Sequence, residues 1–489
     1  MTTKALIPTV LALAAPLLAQ AQTNKPVAAT ATQAHTQPSS FEQFMQEAKN
    51  PLDWLSWGAD LRIRNEYYNN IVTLSDAAPR HEQDVIRYRG RVWASATVVT
   101  NLSINARLSA EPRQWMKPAF VGQYAGHEGM EWRYGILDNA NVKWNNIMDL
   151  PLSLSAGRQD IMIGDYYDWW LVADGTPGDG SWTFFLDSIR LNFDAKEIKT
   201  KFDVIYIYQN ARPSEWIPTI NNSSAYNLTE QNEQGVIAYA SNKSIKNTQL
   251  DGYFIYKRDD QEFANGDNAD IYTAGGKVTG TPFENWQYSV EGAYQFGHKQ
   301  DGTVTAPTPQ TGWRPIDAYG GKAKLTYLFK DAMNNQVGLG GEFLSGDDPN
   351  STGKDEMFDL LWGRWPRWSE LYIYSYINET SRKIAQINNI GRFGPTWTIS
   401  PTKKLSFSAT YNALFAPQTT PTRNVNSTLF SYSTGNTGHF RGHYFQSILR
   451  YQFNKNIAAH LWGEFVWQGD YYTHEDLTTF VRAEVLFTF

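Results

Sequence analysis

The chain has 489 residues, a formal net charge of −6 and no cysteine. These values exclude disulfides, thiolate metal sites and cysteine nucleophiles, and the acidic balance leaves no electrostatic footprint for nucleic acid. Aromatic residues make up 14% of the chain, while the mean hydropathy is −0.48. That combination excludes a helical membrane protein. It is typical of a transmembrane β-barrel, whose strands show one face to lipid and one to water, although a large soluble all-β protein has a similar average.

Residues 1–21 have the pattern of a secretory signal peptide. Lys4 provides a short basic region, an apolar run follows, and Ala19-Gln20-Ala21 fits the small-x-small cleavage motif. The apolar run is interrupted by two prolines and is too short for a transmembrane helix. We therefore predict that the chain is exported.

Residues 22–56 are predicted to form a leader ahead of the folded domain. Up to residue 40 the segment consists mainly of Ala, Thr, Gln and Pro, which cannot bury a core and favour disorder. A short helical period of apolar residues then begins at Phe41, directly after Ser40, a residue type that caps helices. This piece is either a short periplasmic helix or plug, or a frayed linker.

From residue 57 onward, apolar side chains recur at every second position, which is the period of a β-strand. Charged residues occupy the alternate positions, a pattern that fits one face on lipid and one on a wet lumen. We therefore predict an all-β fold, a transmembrane antiparallel up-and-down β-barrel over residues 57–489. The approximate strands are 57–68, 84–100, 102–112, 133–147, 152–160, 183–193, 199–209, 234–241, 246–258, 269–280, 284–297, 317–329, 335–345, 386–400, 403–415, 441–453, 456–468 and 478–489.

The connections between these strands alternate between short and long. An even-stranded outer-membrane barrel requires this alternation, because its turns and both termini lie in the periplasm and its long loops lie outside. The pattern predicts eighteen strands. Sixteen would also fit the length if segments 133–147 and 386–400 were not strands.

The last segment alternates, with Leu486 as the one exception, and ends the chain on an aromatic residue, Phe489. Such a strand resembles the terminal signal by which bacterial outer-membrane barrels are recognised for assembly. It must also pair with the first strand, so that neither edge of the sheet is left open. We therefore expect a location in the outer membrane, with lipid and the barrel-assembly machinery as partners.

A compact stretch is similar to the alginate-export family of outer-membrane barrels. The matching pieces are Gly157-Arg158-Gln159, Gly164-Asp165 and Asp187-Ser188-Ile189-Arg190-Leu191, with a weaker match at Met357-Phe358-Asp359-Leu360-Leu361. The resemblance implies a monomeric, eighteen-stranded barrel that passes a polysaccharide or small solutes and works with periplasmic export partners. It also implies that Arg158 and Arg190 line the lumen.

Two features qualify this resemblance. The alternation slips near Gly157 and Asp187, so we expect bulges there that turn Arg158 and Arg190 inward. The intervening loop, 161–183, has no Lys or Arg but four Asp, whereas an alginate exporter has an arginine-rich lumen. The residues therefore predict the barrel more firmly than they predict alginate as the cargo.

Six further arginines fall on the polar faces of the first three predicted strands: Arg62, Arg64, Arg87, Arg89, Arg91 and Arg107. A guanidinium group stays charged and binds carboxylate or sulfate bidentately, so this ladder suits an anionic sugar or small anion. The structural interpretation is that nearby acids neutralise the ladder and that the ion pairs join neighbouring strands, since buried charge is usually paired.

Tryptophans and acids in the loops also allow two interpretations. Tryptophans can stack on sugar rings or belong to the membrane girdle and loop packing: Trp169, Trp170, Trp362, Trp365 and Trp368. Aspartates can bind Ca²⁺ or form a solvated acidic surface: Asp165, Asp168, Asp174, Asp179, Asp347, Asp348 and Asp359. The structural interpretation is the simpler one for both sets.

No sequence motif indicates catalysis, a cofactor or a resident metal. His439, His443 and Ser447 lie close together in sequence, but sequence proximity alone is weak support for a catalytic site. The sequence therefore predicts a non-enzymatic outer-membrane channel that passes a polysaccharide, an oligosaccharide or a small solute, anions included. The alternative is a secreted β protein that binds or cleaves carbohydrate.

Overall fold

The computed structural model describes residues 40–78, 80–119, 125–132, 135–163, 174–175, 185–220, 227–302, 312–348, 350–362, 368–375, 388–419, 438–472 and 474–489. These residues form a closed antiparallel barrel of eighteen strands, as the sequence pattern predicts. The predicted signal peptide and most of the predicted leader lie outside the described residues. The two segments whose strand character was open, 133–147 and 386–400, both contain a barrel strand.

The barrel strands are numbered in chain order. They are β1 Leu55–Asn69, β2 Glu82–Val99, β3 Leu102–Ala110, β4 Ile136–Trp144, β5 Leu152–Gln159, β6 Leu186–Ala195, β7 Thr200–Gln209, β8 Gln231–Asn242, β9 Thr248–Gln261, β10 Asn268–Phe283, β11 Trp286–Gln300, β12 Arg314–Leu328, β13 Gln336–Leu344, β14 Ile390–Thr402, β15 Leu405–Phe415, β16 Phe440–Asn454, β17 Ile457–Gln468 and β18 Leu477–Thr488.

The barrel closes where the last strand pairs with the first. The register between β18 and β1 runs without a shift from Thr488 opposite Asp60 to Thr479 opposite Asn69. At the chain end, the Phe489 N–H donates to the Ala59 carbonyl over 2.8 Å. Closure leaves no strand edge exposed, which is what a sheet within a membrane needs, because lipid offers no hydrogen-bond partner to the backbone.

Alternation along the strands separates a lipid face from a lumen face. In β1, Leu61 and Ile63 are 45% and 38% exposed on the outer face, whereas Arg62 and Arg64 between them are each only 1% exposed on the inner face. The same parity holds in β2, where Arg87 and Arg89 are buried. The polar half of each strand therefore faces the interior of the barrel.

Two belts of outward aromatic side chains mark the edges of the apolar band. Near the long loops, Tyr256, Tyr272 and Phe296 stack across three strands with centroids 5.1 and 5.4 Å apart. Near the short turns, Trp286 and Tyr327 pack at 5.0 Å. The ten residues from Trp286 to Phe296 rise about 25 Å at the usual strand pitch and tilt, which matches the apolar height of an outer-membrane barrel.

Connections at one end are short, and those at the other end are long, as the sequence predicts. The turn between β2 and β3 consists of two residues and places Asn101 at φ 69°, a conformation that asparagine tolerates well. Two short strands, Arg113–Lys117 and Gly129–Glu131, extend the sheet at the long-loop end. Another short pair joins Ile161–Met162 to Asp174–Gly175.

The described residues include two α-helices besides the barrel strands. Helix α1, Ser40–Lys49, corresponds to the helix alternative for the leader, and the Ala48 carbonyl accepts a 2.6 Å hydrogen bond from the Trp57 indole. Helix α2, Leu371–Ser375, belongs to the loop between β13 and β14. Within the described ranges, no helix is long and apolar enough to cross a membrane.

Candidate functional site

The loop between β13 and β14 comprises residues 345–389, and its described parts fold into the lumen; we call this loop the strap. Its described parts are 345–348, 350–362, 368–375 and 388–389. Six large apolar side chains of the strap are at most 5% exposed and join the hydrophobic core inside the barrel: Phe358, Leu360, Leu361, Trp362, Leu371 and Tyr372. A loop that buries so much apolar surface inside the barrel is a fixed part of the lumen.

One end of the strap is anchored to β9 and β11. The Asp359 N–H donates to the Gln295 side chain at 2.8 Å, and the Gln295 amide donates back to the Asp359 carbonyl at 2.6 Å. The Asp359 carboxylate lies 3.6 Å from the Lys257 ammonium on β9. Gln295 and Lys257 are fully buried and face inward, so this anchor lies on the inner wall.

The other end is anchored to β17 through the buried carboxylate of Glu464. One carboxylate oxygen accepts from the Ser369 hydroxyl at 2.6 Å and the Leu371 N–H at 3.0 Å, and the second accepts from the Glu370 N–H at 2.9 Å. The Trp462 indole, on the same strand as Glu464, donates to that second oxygen at 2.6 Å. Three of the hydrogen bonds that the Glu464 carboxylate accepts therefore come from the strap.

Additional contacts fix this end of the strap. The Glu370 carboxylate pairs with Arg482 on β18 at 2.7 Å. The Trp368 carbonyl accepts hydrogen bonds from the Tyr444 hydroxyl at 3.0 Å and from the Gln446 amide at 2.8 Å. The Arg392 guanidinium lies 4.9 Å from the Trp368 ring centroid, so the ring is held by a cation–π contact as well.

The two anchors lie on opposite sides of the barrel. Lys257 belongs to β9 and Arg482 to β18, and eight barrel strands separate β9 from β18 in either direction. Asp359 at one anchor and Glu370 at the other therefore lie across the lumen from each other. A solute crossing the barrel has to pass beside the strap.

The six arginines predicted on the first three strands all face the lumen side of the wall and all have carboxylate partners. Arg62 bonds Glu111 at 2.6 Å, and Arg87 bonds Glu111 at 2.9 Å and Glu66 at 2.6 Å. The remaining pairs are Arg64 with Glu484 at 2.7 Å, Arg89 with Asp60 at 3.5 Å, Arg91 with Asp60 at 2.8 Å and Arg107 with Asp138 at 2.7 Å and Asp160 at 2.9 Å. Arg482 joins the network through Glu66 at 2.7 Å.

The other two predicted lumen residues take opposite faces of the wall. Arg190 faces the lumen, is partly exposed and pairs with Asp203 at 2.7 Å. Arg158 differs from the expectation. The pairing of β5 with β6 shows no register shift, so no bulge turns Arg158 inward, and it shares the outer face with Asp187.

Arg158 is enclosed on that outer face. It bonds Asp187 at 2.8 Å and the Pro213 carbonyl at 3.3 Å, and the Phe185 ring lies 3.9 Å from its guanidinium. The loop carrying Pro213 covers Arg158. Ile220 of the same loop lies beside Gly135 and close to Leu108, which is on the outer side of β3. Arg158 therefore holds this loop to the wall and does not line the lumen.

A second charged belt, on the opposite wall, was not singled out from the sequence. Six directly opposed lumen-facing residues alternate in sign across β9 to β14: Asp251, Lys277, Glu291, Lys322, Glu342 and Arg392. Arg392 bonds Glu342 at 2.6 Å, and Lys322 lies 3.6 Å from Glu291. Each residue lies at a polar position of a predicted strand, but only the strand register shows that opposite charges face each other.

The remaining candidate residues are divided between structural contacts and undescribed segments. Trp362 and Trp368 belong to the interior of the strap, while Trp169, Trp170, Trp365, Asp165, Asp168 and Asp179 lie outside the described residues. His443 is on the outer face, 2.7 Å from the Tyr411 hydroxyl, and His439 bonds the Ala416 carbonyl. Among the described residues, no group of His, Asp or Glu has the arrangement of a metal site.

The outer base of the strap carries an acidic cluster with two cations. Arg314 bonds Asp355 at 2.9 Å, Asp301 at 3.1 Å and Asp347 at 3.2 Å. Lys299 lies 3.2 Å from Asp355. Burial, followed by the repulsion of Asp355, raises the pKa of Asp347 to about 6, so this loop group titrates under mildly acidic conditions.

Comparison with known proteins agrees with this architecture. A family model described as alginate export matches residues 53–485. A search of curated protein sequences finds no match. Among solved structures, OccAB1 of Acinetobacter baumannii is similar with a TM-score of 0.54 at 10% identity, covering 89% of this chain and 96% of that one.

Two Pseudomonas structures give the same result. A BenF-like porin from Pseudomonas fluorescens Pf-5 has a TM-score of 0.52 at 10% identity, covering 88% of this chain and 98% of that chain. OccK7 (OpdD) of Pseudomonas aeruginosa has a TM-score of 0.51 at 9% identity, with coverage of 89% and 98%. At these identities the likeness concerns the fold alone.

Proposed function

The chain belongs to the alginate export family and is an outer-membrane β-barrel channel; from that premise we propose that it admits small hydrophilic solutes past the strap by passive diffusion. The observation that carries the proposal is the strap itself, anchored at Gln295 on one wall and at Glu464 on the other. A fixed crossing of this kind suits solutes of one or two sugar units better than a continuous polymer.

The charge arrangement supports the same proposal. The first three strands hold many arginines, but each contacts a carboxylate of the wall or of the adjoining loops. The facing wall alternates in sign along neighbouring strands. Paired charges stiffen a wall and leave little net field, whereas capture of a polyanion needs cations that are available to it. The short turns and both termini are assigned to the periplasm, because even-stranded barrels of this kind have that arrangement.

Export of a polysaccharide is the second candidate function, and the family match favours it. A chain of sugar units would need the strap to leave the lumen. That step would break both anchors and expose the six buried apolar side chains of the strap. The two candidates therefore differ in whether the strap has to move.

Liposome swelling separates the two functions. Purified protein is reconstituted, and the swelling rate is measured in isotonic monosaccharide, disaccharide and longer oligosaccharides. The proposal predicts fast uptake of monosaccharides and a steep decline with length. Unhindered passage of long oligosaccharides would favour the export function, and the absence of swelling and of ionic conductance would refute a channel altogether.

A further inference from the structure

The lumen wall near the short turns carries a group of uncharged side chains that belongs neither to the strap anchors nor to the ion-pair networks. We call it the amide rail: Ser95 on β2, Ser103 and Asn105 on β3, and Asn139 and Asn141 on β4. All five are half-buried. Their strand neighbours on the outer face include Ile104 and Val142, which are 50% and 43% exposed, so the rail faces the lumen.

The rail is continuous because its members lie opposite one another. Ser95 is directly opposite Asn105, and Asn105 is directly opposite Asn141. The Ser95 hydroxyl donates to the Asn105 oxygen at 2.7 Å, and the Asn105 amide donates to the Asn141 oxygen at 3.0 Å. Neighbouring strands are about 4.8 Å apart, a step comparable to the length of one sugar ring.

The hydrogen bonds inside the rail consume the amide donors of its two central members, Asn105 and Asn141. Asn105 directs one amide N–H to Asn141 and the other to the Ser103 hydroxyl at 3.4 Å. Asn141 directs its two amide N–H groups to Asn139 at 2.7 Å and to the Arg158 carbonyl at 3.1 Å. Each amide oxygen has two lone pairs, and the described contacts occupy one on Asn105 and one on Asn141. Toward the lumen, these two amides therefore present acceptors.

The rail is also reachable. It lies in the half of the barrel near the short turns, because Asn105 is only three residues from the start of β3. The strap enters from the opposite end, and its Glu464 anchor lies four residues from the loop end of β17. A solute can therefore contact the rail without displacing the described parts of the strap.

From this geometry we infer that the amide rail is a binding subsite for uncharged polyhydroxylated solutes, that is, neutral saccharides, whose hydroxyls bind at its two central amides, Asn105 and Asn141. A sugar hydroxyl donates to a free lone pair of Asn105 or Asn141, whereas a carboxylate has no donor to offer these two amides. This inference rests on the proposed channel function and adds a substrate class to it.

The test is block of the ionic current in planar bilayers, with sucrose as the neutral probe and succinate as the acceptor-only probe. Sucrose is expected to reduce the open-channel current saturably, beyond its effect on bulk conductivity, and more strongly than succinate, which has no donor for the two central amides. In an Asn105→Ala/Asn141→Ala variant the apparent Kd for sucrose should rise by about tenfold or more. Ile104→Ala, on the outer face of the same strand, is the matched control and should leave the Kd unchanged.

A second variant makes the inference testable even if the double variant does not fold. Ser95→Ala removes the hydroxyl that occupies a lone pair of Asn105, so sucrose block should become stronger. Conductance without saturable sucrose block, equal block by succinate, or variants that leave the block unchanged would overturn the subsite while the channel function stands. A protein with no conductance in any form would instead refute the channel.

Discussion

Lys257 and Arg482 stand on opposite walls of the barrel, and one loop contacts both. Lys257 lies 3.6 Å from Asp359 and Arg482 lies 2.7 Å from Glu370. Only eleven positions separate these two acids in the sequence. The two anchors of the loop therefore face each other across the lumen, although few residues separate them in the chain.

The Glu464 anchor provides the first prediction. Glu464→Ala removes the acceptor of Ser369, Glu370 and Leu371, and each buried donor left without a partner costs about 1–3 kcal/mol. The β17 end of the strap should loosen, so single-channel conductance should rise with added open-state noise. Leu461→Ala, on the lipid face of the same strand, is the control. A Glu464→Ala channel as quiet and as narrow as wild type would argue against the anchor.

The arginine network provides a prediction about stability. Arg87 is buried between Glu66 and Glu111, so Arg87→Ala leaves two buried carboxylates without this partner and should destabilise the barrel by about 3–5 kcal/mol. Arg190, which is partly exposed beside Asp203, should lose at most about 1 kcal/mol on the same change. Thermal unfolding in detergent, followed by the gel shift of the folded barrel, compares the two. Equal losses would mean that the network does not stabilise the wall.

Ion selectivity tests the alternative role of the same arginines. If their charges are neutralised by carboxylates of the wall, Arg91→Gln should change the ratio of chloride to potassium permeability only slightly. The reason is that Arg91 already pairs with Asp60 at 2.8 Å. Reversal potentials in a KCl gradient measure this ratio. A large shift toward cations would assign the ladder to anion binding.

Asp347 makes the outer base of the strap sensitive to pH. Its pKa is raised to about 6, chiefly by burial and then by Asp355. A carboxyl whose pKa is raised on folding stabilises the fold fully below its unfolded pKa of about 3.9, and this contribution is lost as the pH rises through about 6. The strap base should therefore tighten between pH 7 and pH 5.

Asp347→Asn reproduces the neutral form and tests this prediction. The variant should show at pH 7 the conductance noise that wild type shows at pH 5, and its own noise should vary little with pH. Asp348→Asn, at the neighbouring position, is the control. If wild type and Asp347→Asn respond identically to pH, another group is responsible.

The sequence predicts the barrel well because each strand is recognisable from the alternation of apolar and polar residues within a short segment. Period-two alternation identifies every strand, including Ile136–Trp144 and Ile390–Thr402, and the alternation of connections sets the strand number. Arg158 shows the limit of this reasoning. Simple alternation places it on the outer face, and the expected bulge is not present in the register.

The site is harder to predict because it is built from distant contacts. Ser369 and Glu464 are 95 positions apart, and Ser375 reaches the Ile71 carbonyl across 304 positions. The alternation of residues along a strand cannot predict contacts between residues so far apart in the sequence. The alternating belt from Asp251 to Arg392 similarly needs the pairing register of six strands, which hydrophobic patterning fixes only once the turns are known.

The most direct measurement of the central claim is the single-channel conductance of Gln295→Ala, Glu464→Ala and the double variant in one bilayer system. Each single variant keeps the strap by its other anchor, so each should raise the conductance modestly. The double variant weakens both anchors at once and should raise it by more than the two single increases together. Conductance that stays at the wild-type value in the double variant would contradict a strap that limits the pore.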